Sequence, residues 1–486
     1  MNIIPNPTNL IVKENQFSNE CKIMGNSFFN NEIFYLSDLL NLEVSDNKEQ
    51  NNIIFYLNKE IKNIEGYKII STPNSIIIES SNPAGAFYAV QTLRQVITKD
   101  NGIISCPCFE IEDSPEFRWR GSMVDTSRHF MSLKFLKKYI EILALHKINR
   151  FHWHLTDDQG WRIQIKSHPE LTGIGSKREG RTIRPTVYGN YYSQEDIKEL
   201  IKYAKDRHIE IIPEIDIPGH STAAIAANKE LSCINEELLV TDKWGIHNKI
   251  LCAGKESVFT WLDDVIREVA NLFPSQFIHL GGDEAIKDYW EDCPLCRQRM
   301  EDEGLKDTFE LQSYFIKRTA ALITKYGKRV LGWEEVVEGG LADDITVFSW
   351  RGIEAGIESA NKGHDVIMCS TKAACYFDHK HIDDEDEPGW LGVCTVKDAW
   401  SFNPLPEGIS KDAKKHILGL QGNIWTEKIE SPKTLEYMAF PRLTALSETM
   451  WCGTENRDWS EFKKRLNIFK ILLTELGVNY YRGLLE

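Results

Sequence analysis

The chain contains 486 residues, of which 42% are hydrophobic and 27% are charged, a balance typical of a globular protein with a large core. Its 72 acidic and 57 basic side chains give a formal net charge of −15. A general nucleic-acid-binding protein needs a basic face, so this charge disfavours that class while leaving room for a local basic site. We therefore expect no nucleic-acid partner.

The amino terminus shows no pattern of an anchor or a secretion signal. No apolar run reaches the roughly 18 residues that a bilayer-spanning segment needs. Residues 1–17 lack a basic segment followed by an apolar one. We therefore expect no membrane partner, and a cytoplasmic location if the chain is complete or a secreted one if it is a trimmed mature form.

The first 115 or so residues predict a small α+β domain without catalytic features. The turn-forming residues Pro73-Asn74-Ser75 predict a hairpin, and Asn82 followed by Pro83 predicts a capped helix. Asp113-Ser114-Pro115 is the predicted domain boundary. Strand-like apolar runs lie at residues 53–57, 67–70 and 76–79.

From Arg118 onward, short apolar runs recur and each ends in polar or aromatic residues. Eight such buried runs that alternate with helical stretches predict a (β/α)8 TIM barrel over residues 116–486, preceded by the small domain at 1–115. The predicted strands lie in residues 121–128, 149–158, 210–220, 277–284, 329–335, 345–352, 365–378 and 418–427. Helical apolar spacing occurs at residues 133–146, 194–207, 258–272 and 308–326.

Two connections depart from an ideal α/β barrel. Only residues 336–344 separate the fifth and sixth predicted strands, too few for a full helical crossover. The segment between the seventh and eighth strands has no helical period and contains the acidic run 383–387. We expect a long loop over the barrel mouth there, with the acidic run as a solvated surface.

A pair of carboxylates follows the fourth predicted strand, in the segment His279-Leu-Gly-Gly-Asp283-Glu284. The two glycines permit a tight turn, and the chemistry of such barrels lies at the carboxyl ends of the strands. Adjacent carboxylates repel, so one of the two is expected to have a raised pKa. A carboxylic acid that stays protonated near about pH 6 can act as a general acid. The alternative is that the two carboxylates are a solvated pair in a surface loop, but their position at a strand end favours a functional role.

Histidines on the second predicted strand offer a different chemistry. His152 and His154 point to the same side of the strand and could bind a metal together with His220 and Asp283. The eighth strand ends in Asn-Ile-Trp-Thr-Glu and supplies no metal-binding aspartate. We therefore favour His152 as a core histidine with a hydrogen-bond partner, and keep a metal-dependent hydrolase as the alternative.

The 11 cysteines are odd in number and scattered, which is not the pattern of a disulfide framework. The one C-x-x-C is Cys293-Pro-Leu-Cys296. A zinc site needs a second ligand pair, and none lies at the usual spacing. We expect two thiols in a loop rather than a metal or redox site.

Several other strand ends carry residues suited to binding a sugar. Arg128 follows the first strand, and its planar fork of donors suits two neighbouring hydroxyls, although a structural ion pair is the alternative. Trp333, Trp350 and Trp425 end the fifth, sixth and eighth strands, and together they predict an aromatic pocket for a sugar face or an acetyl group. Tyr376 adds one hydroxyl donor, and Asp378 and Glu427 add two acceptors.

Together these residues resemble glycoside hydrolase family 20, the β-N-acetylhexosaminidases. The resemblance spans residues 125–427, nearly all of the predicted barrel, and the N-terminal region is similar to the small domain that precedes the barrel in this family. None of the matched positions departs from the family pattern. The matching motifs are Asp125-Thr-Ser-Arg128-His-Phe130, His152-Trp-His-Leu-Thr-Asp157-Asp-Gln-Gly-Trp161, Pro218-Gly-His220, Gly281-Gly-Asp-Glu284, Gly332-Trp333-Glu334, Tyr376-Phe-Asp378 and Trp425-Thr-Glu427.

The resemblance implies an exo-acting, retaining hydrolase of terminal β-linked GlcNAc or GalNAc, with a carbohydrate substrate and no cofactor or metal. The family is a substrate-assisted exception among glycosidases, in which the 2-acetamido oxygen attacks the anomeric carbon and forms an oxazolinium ion. By similarity, Glu284 protonates the leaving oxygen and then deprotonates water. Asp283 holds the acetamido N–H, and Tyr376 binds the acetamido oxygen.

The remaining implied roles concern binding and support. The three tryptophans are expected to enclose the acetyl group and the sugar face, and His220 with Asp157 is expected to tune Glu284. Arg128, Asp378 and Glu427 are expected to hold ring hydroxyls. A sugar-binding module without turnover stays as an alternative, but such a module has no use for the Asp283-Glu284 pair. The preference between GlcNAc and GalNAc, the aglycone and the oligomeric state stay open.

Overall fold

The computed structural model describes residues 1–45, 52–179, 187–338, 345–406, 409–455 and 457–485. The N-terminal domain is a seven-stranded mixed sheet with strand order β1-β7-β4-β5-β3-β2 and with β6 paired to β7. The predicted runs are confirmed as β3, β4 and β5, and the turn at 73–75 joins β4 and β5 in an antiparallel hairpin. The seven strands are β1 (Asn9–Asn19), β2 (Lys22–Gly25), β3 (Asn52–Leu57), β4 (Tyr67–Ser71), β5 (Ser75–Ser80), β6 (Thr98–Asp100) and β7 (Ile103–Asp113).

Two helices, α1 (Asn30–Leu40) and α2 (Pro83–Leu93), belong to this domain. The predicted helix start is confirmed, because the Asn82 side chain accepts a hydrogen bond from the Ala84 amide at 3.1 Å and Pro83 occupies the first helical position. The long edge strand β1 was not predicted. Most of its side chains are exposed, so it lacks the alternation of apolar and polar residues that marks a half-buried strand.

The second domain is a closed barrel of eight parallel strands, as the sequence predicts. Nearly every strand residue is buried, since one face packs into the barrel interior and the other against helices. Each strand overlaps one of the eight predicted runs. The strands are β8 (Trp119–Asp125), β9 (Arg150–His154), β10 (Glu210–Ile217), β11 (Phe277–Gly281), β12 (Arg329–Trp333), β13 (Ile345–Ser349), β14 (Val366–Met368) and β15 (Ile417–Ile424).

Helices cover most of the outside of the barrel, and the four predicted stretches are confirmed as α3 to α6. The main helices are α3 (Leu133–Leu145), α4 (Gln194–Lys205), α5 (Glu256–Leu272), α6 (Thr308–Lys325), α7 (Glu354–Asn361), α8 (Arg442–Cys452) and α9 (Trp459–Glu475). Shorter helices lie at Glu170–Gly173, Thr222–Ala227, Asp288–Asp292, Pro294–Glu303, Val396–Ser401, Lys411–Lys414 and Pro432–Ala439. Within the described ranges, no helix has both the length and the apolar character needed to span a membrane.

The two irregular connections behave differently from one another. After β12 the chain forms only a 3-10 turn at Glu334–Val337, and residues 339–344 of the predicted short connection lie outside the described residues. Between β14 and β15, residues 390–393 border the barrel mouth and 383–386 are exposed, which confirms the predicted loop.

The expectation that the β14–β15 segment contains no helix was wrong. Two helices of six and four residues lie there, at Val396–Ser401 and Lys411–Lys414. Helices this short cannot display a 3.6-residue period. A detectable signal existed in Thr395 and Asp398, which form a reciprocal capping box at the start of the first helix.

The two domains meet at the amino-terminal ends of the barrel strands, away from the mouth. Lys147, just before β9, forms a fully buried ion pair with Asp113 at 3.1 Å. Arg120, at the start of β8, pairs with Glu65 at 2.7 Å. Trp451 of α8 also donates its indole N–H to Asp113. The N-terminal domain is therefore anchored to the end of the barrel opposite the predicted site.

No second ligand pair lies at the usual sequence spacing, as expected, but the fold brings one from elsewhere in the chain. The expectation of two thiols in a loop was wrong, because Cys293 caps the helix Pro294–Glu303 and Cys296 lies within it. The sulfur atoms of Cys233 and Cys252 lie beside them, and all four lie within 4.8 Å of one another. The two additional cysteines come from the loop after β10, so the tertiary fold assembles a set that follows no short-range spacing.

Candidate active site

A cavity of about 600 Å³ opens at the carboxyl ends of the barrel strands. It contains all of the predicted site residues, which come from loops or strand ends all around the barrel. These lining residues are Arg128, Asp157, His220, Asp283, Glu284, Trp333, Trp350, Tyr376, Asp378, Trp425 and Glu427. The prediction that the functional side chains converge at one mouth is confirmed geometrically.

Two glycines place the carboxylate pair at the end of β11. Gly281 and Gly282 have φ values of 73° and 97°, a region that favours glycine. A Cβ atom at Gly281 would lie 1.7 Å from an oxygen of Asp216, so no side chain fits there. Glu284 itself has a φ of 48°, an uncommon conformation for a residue with a side chain. The backbone thus holds the pair in an unusual turn at the pocket wall.

The two carboxylates differ in burial and electrostatics. The Asp283 side chain is 10% exposed and that of Glu284 is 31% exposed, so Glu284 lies closer to the rim. Burial raises the pKa of Asp283 to about 6; His220 opposes this shift, and the charge of Glu284 adds to it. The expected raised pKa in this pair therefore falls on Asp283.

His220 connects this pair to a buried network behind it. Its Nδ1 atom lies 3.1 Å from Asp157 Oδ1, and its Nε2 atom lies 3.5 Å from Glu284 Oε2 and 3.7 Å from Asp283 Oδ2. Despite burial, which opposes the charge, the nearby Asp157 and Asp216 raise the pKa of His220 well above its ordinary value. A cationic imidazole thus faces both carboxylates of the pair.

Arg128 forms the ion pairs that were considered for it, at the wall of the cavity. It pairs with Asp157 at 2.8 Å and lies 3.9 Å from Glu427, and these neighbours keep its pKa well above the ordinary value in spite of burial. Its guanidinium also lies 5.1 Å from the centre of the Trp425 ring. The ion pairs fix the side chain in place at the pocket wall.

Aromatic rings form the walls of the cavity. The ring centres of Trp350 and Tyr376 are 6.2 Å apart with an angle of 24° between planes. Trp425 lies 5.8 Å from Trp333 and 6.4 Å from Tyr376. The four rings form a continuous chain of contacts along the cavity wall, beside a space suited to a small apolar group. Trp350 is further held by a 2.9 Å hydrogen bond from its indole N–H to Glu335.

Buried acceptors in the cavity lack partners among the described residues. These atoms are Asp283 Oδ1, Asp378 Oδ1, Glu427 Oε2 and both carboxylate oxygens of Asp216. Burial and the charge of Glu427 raise the pKa of Asp378 to about 8. Buried polar atoms are normally hydrogen-bonded, so unpaired acceptors around a cavity point to a ligand rich in hydroxyl or N–H donors.

Two further buried carboxylates were missed by sequence reasoning, one in the cavity and one in a neighbouring cavity beside Glu284. Asp216 lines the cavity, and burial together with Asp283 raises its pKa well above the ordinary value. Glu335 is buried, and burial together with Asp283 raises its pKa to about 8. A signal for Asp216 existed, because charged residues in a buried parallel strand, here Glu214 and Asp216 of β10, are rare unless they are paired or functional.

Glu214 organises the histidines that suggested a metal site. It lies 3.0 Å from His152 Nε2, 2.6 Å from His154 Nδ1 and 3.0 Å from His279 Nδ1, and accepts a 2.8 Å hydrogen bond from Trp333. His152 is fully buried and does not line the pocket, which confirms it as a core histidine.

The alternative ligand set of His152, His154, His220 and Asp283 does not converge on one point. Among the described residues, His152 clusters with Glu214 and His279, whereas His220 clusters with Asp283 and Glu284. The geometry therefore does not favour the metal-dependent hydrolase.

Comparison with known proteins agrees with this geometry. The model described as "Glycosyl hydrolase family 20, catalytic domain" matches residues 117–454, and the model described as "Glycosyl hydrolase family 20, domain 2" matches residues 1–114. A beta-hexosaminidase of Porphyromonas gingivalis is 44% identical over 431 residues, covering 87% of this chain and 55% of that protein. A beta-hexosaminidase of Akkermansia muciniphila is 35% identical, covering 83% of this chain and 82% of that protein.

Solved structures show the same likeness. The GH20 exo beta-N-acetylglucosaminidase of Vibrio harveyi in complex with N-acetylglucosamine has a TM-score of 0.91 at 33% identity, covering 99% of this chain and 78% of that chain. A Streptomyces plicatus beta-hexosaminidase in complex with GlcNAc has a TM-score of 0.87 at 29% identity, covering 99% and 96%. The chain spans about half the length of the Porphyromonas relative and 65% of that of a beta-hexosaminidase of Vibrio furnissii.

Proposed function

The chain belongs to glycosyl hydrolase family 20, and from this premise we propose that it removes terminal β-linked N-acetylhexosamine from the non-reducing end of a glycan. The observation that carries the proposal is the position of Asp283 and Glu284 beside the aromatic box. An ordinary retaining glycosidase needs a second carboxylate about 5 Å from the acid, across the scissile bond. Here both carboxylates of the pair face the same Nε2 atom of His220, so they lie on one side.

With both carboxylates on one side, the substrate itself supplies the nucleophile. The carbonyl oxygen of the 2-acetamido group attacks the anomeric carbon, and the C–O bond to the aglycone breaks. The box formed by Trp333, Trp350, Tyr376 and Trp425 fits the acetyl methyl and holds the group in an attacking position. The unpaired Oδ1 of Asp283 is the acceptor for the acetamido N–H. As an ionised carboxylate, Asp283 stabilises the positive charge that develops on the oxazolinium ring.

Glu284 acts as the general acid and then as the general base. Its position at the rim lets it reach the glycosidic oxygen, to which it gives a proton as the aglycone leaves. The resulting carboxylate then takes a proton from the water that opens the oxazolinium ion, which restores the enzyme and releases the sugar with retained configuration. His220, held by Asp157, positions the pair and sets its electrostatic environment.

The hydroxyl groups of the sugar are bound by the charged residues on the remaining walls. Arg128 offers donors, while Asp378 and Glu427 each offer a buried acceptor without a partner in the described structure. Three hydrogen-bonding groups in one cavity can bind the several free hydroxyls of a terminal sugar, which supports exo action. The same surroundings would suit a sugar-binding module, but such a module would not need the strained, electrostatically perturbed pair at Asp283 and Glu284.

Parallel hydrolysis of three aryl glycosides tests the function. We expect turnover of aryl β-GlcNAc, of β-GalNAc, or of both, and very little turnover of the β-glucoside, which lacks the acetamido nucleophile. Fluorine atoms on the acetyl group should slow turnover steeply, because they weaken the attacking oxygen. Comparable cleavage of the plain glucoside, or a glycosyl ester trapped on any Asp or Glu and seen by mass spectrometry, would contradict the mechanism.

A further inference from the structure

Four cysteine side chains from separate stretches of the chain meet outside the catalytic cavity. This four-cysteine cluster consists of Cys233 and Cys252 from the loop after β10, and of Cys293 and Cys296 at the start of the helix Pro294–Glu303. Cys252 and Cys296 are completely buried, Cys293 is nearly so, and Cys233 is half-buried. None of the four lines the catalytic cavity.

The spacing of the sulfur atoms matches a tetrahedral metal site. A Zn–S bond of about 2.3 Å in a tetrahedron places neighbouring sulfurs about 3.8 Å apart. The observed separations are 3.8 Å for Cys233–Cys296, 3.9 Å for Cys252–Cys293 and 3.6 Å for Cys252–Cys296, and all four sulfurs lie within 4.8 Å of one another. A disulfide needs about 2.0 Å, and none of these pairs is that close. We propose that the cluster binds one structural zinc ion.

The chemistry of the ligand set favours this ion. Four thiolates form a closed, soft coordination shell, which is the ligand set of structural zinc and leaves no open position for catalysis. Binding deprotonates the four thiols and releases their protons to solvent. Zinc needs no oxidant or reductant, so the site forms from reduced cysteines and the divalent ion alone.

The backbone around the cluster is built for close packing. Gly254 lies against the start of the helix, and a Cβ atom there would be 2.3 Å from the Leu295 carbonyl carbon and 2.5 Å from the Cys296 nitrogen. Only glycine permits this approach, which brings Cys252 up to the pair on the helix. The Trp290 indole N–H donates to the Leu251 carbonyl at 2.9 Å and fixes the neighbouring residue of the same loop.

The charge around the cluster also suits a bound metal thiolate. Four thiolates and one Zn²⁺ carry a net charge of −2, which needs nearby positive charge. Lys255 donates a hydrogen bond from its ammonium group to the carbonyl of Ser232 at 2.8 Å. Ser232 directly precedes Cys233 in the chain, so this positive charge lies beside the backbone at one ligand. Cys293 and Cys296 lie at the amino end of a ten-residue helix, where the helix dipole stabilises negative charge.

The zinc would connect two loops that build the catalytic cavity. The loop after β10 carries Gly245 and Ile246, which line the cavity, and the segment after β11 carries Asp283 and Glu284, which also line it. Crosslinking the two loops restricts their separation in the unfolded and locally opened states. We therefore expect the ion to stabilise the fold at the cavity rim and to take no part in the hydrolysis.

Metal content of the purified full chain tests the proposal. The protein is prepared under reducing conditions with zinc supplied, dialysed, and analysed by inductively coupled plasma mass spectrometry. We expect about one zinc per chain in the unmodified protein, at least a tenfold lower zinc content in Cys252→Ser, and a lower melting temperature in that variant. The matched control is Cys108→Ser, which removes a buried thiol of β7 and should keep the full zinc content.

A second variant and a spectroscopic probe test the proposal even if Cys252→Ser fails to fold. Cys233→Ser changes the half-buried ligand and should yield folded protein that loses zinc at least tenfold faster to a chelator than the Cys108→Ser control. Cobalt exchanged into the unmodified protein should show the intense visible absorption of a tetrahedral cobalt thiolate. Three results would overturn the assignment. The first is four free thiols without zinc, the second is a mass two hydrogens lighter for each disulfide formed within the cluster, and the third is iron in place of zinc.

Discussion

The Nε2 atom of His220 lies 3.5 Å from Oε2 of Glu284, with the Oδ2 atom of Asp283 only 3.7 Å away. One imidazole therefore faces the proposed acid and the proposed stabiliser of the oxazolinium ion at the same time. Asp157 holds the opposite ring nitrogen at 3.1 Å and favours the cationic form. His220 is thus a positioning residue whose charge affects both carboxylates.

Replacing His220 should move the pH profile. Burial raises the pKa of Asp283 to about 6 even though the charge of His220 opposes the shift. In His220→Gln that pKa rises, so the ionised Asp283 needed for turnover is lost at a higher pH. We expect the acid limb of kcat/KM to shift upward from about pH 6. The control His364→Gln lies near the other end of the barrel and should leave the limb in place. An unchanged limb in His220→Gln would show that His220 does not tune the pair.

Glu284→Gln should lose activity in a way that depends on the leaving group. General acid–base assistance accounts for about 10² to 10⁴ in rate. A glycoside with a poor leaving group needs the proton most, so its kcat/KM should fall by the larger factor, while an activated aryl glycoside should lose less. The surface variant Glu358→Gln is the control. Equal losses across a series of leaving groups would argue against Glu284 as the acid.

Asp283→Asn should lose activity and gain folding stability. The folded pKa of Asp283, about 6, lies above the ordinary value of 3.8 for an aspartate, so the folded state binds this proton more tightly than the unfolded state does. The carboxylate therefore costs no stability below about pH 4 and up to about 3 kcal/mol above pH 6, since one pKa unit corresponds to about 1.4 kcal/mol.

The neutral amide removes this cost, so urea denaturation of Asp283→Asn should show a gain at pH 8 and little change at pH 4. Turnover should be severely impaired in the same variant, because the developing positive charge on the acetamido nitrogen loses its partner. A variant that is less stable at pH 8, or that retains full activity, would contradict the assignment of Asp283.

Trp425→Ala should weaken substrate binding and slow turnover together. Trp425 contacts both Trp333 and Tyr376 and packs on Arg128, so its removal opens the wall that both holds and aims the acetamido group. We expect KM to rise and kcat to fall by at least about tenfold each, as is typical when orientation in a site is lost. Trp400→Ala, on the outside of the barrel near Trp459, is the control. Unchanged kinetics in Trp425→Ala would place this ring outside the binding site.

The sequence by itself determined the barrel and most of the pocket. The strands of this barrel lie in short, buried and mainly apolar runs, although β10 also carries Glu214 and Asp216. A functional residue follows at the carboxyl end, as Trp350 follows β13 and Trp425 follows β15. Because the strands of such a barrel are parallel, their carboxyl ends then lie at the same mouth. The turn at Gly281 and Gly282 could be predicted for the same reason, because the need for glycine is local.

Only the tertiary structure decided which side chains, distant in the chain, interact electrostatically or can bind the same ligand. Asp216 acquires its raised pKa from burial and from Asp283, which follows the neighbouring strand β11. Cys252 meets Cys296 because Gly254 lets two loops touch, although the cysteines are far apart in the chain. Burial and Coulomb interactions depend on distances in space rather than along the chain, and chain spacing encodes those distances only within a single helix, strand or turn.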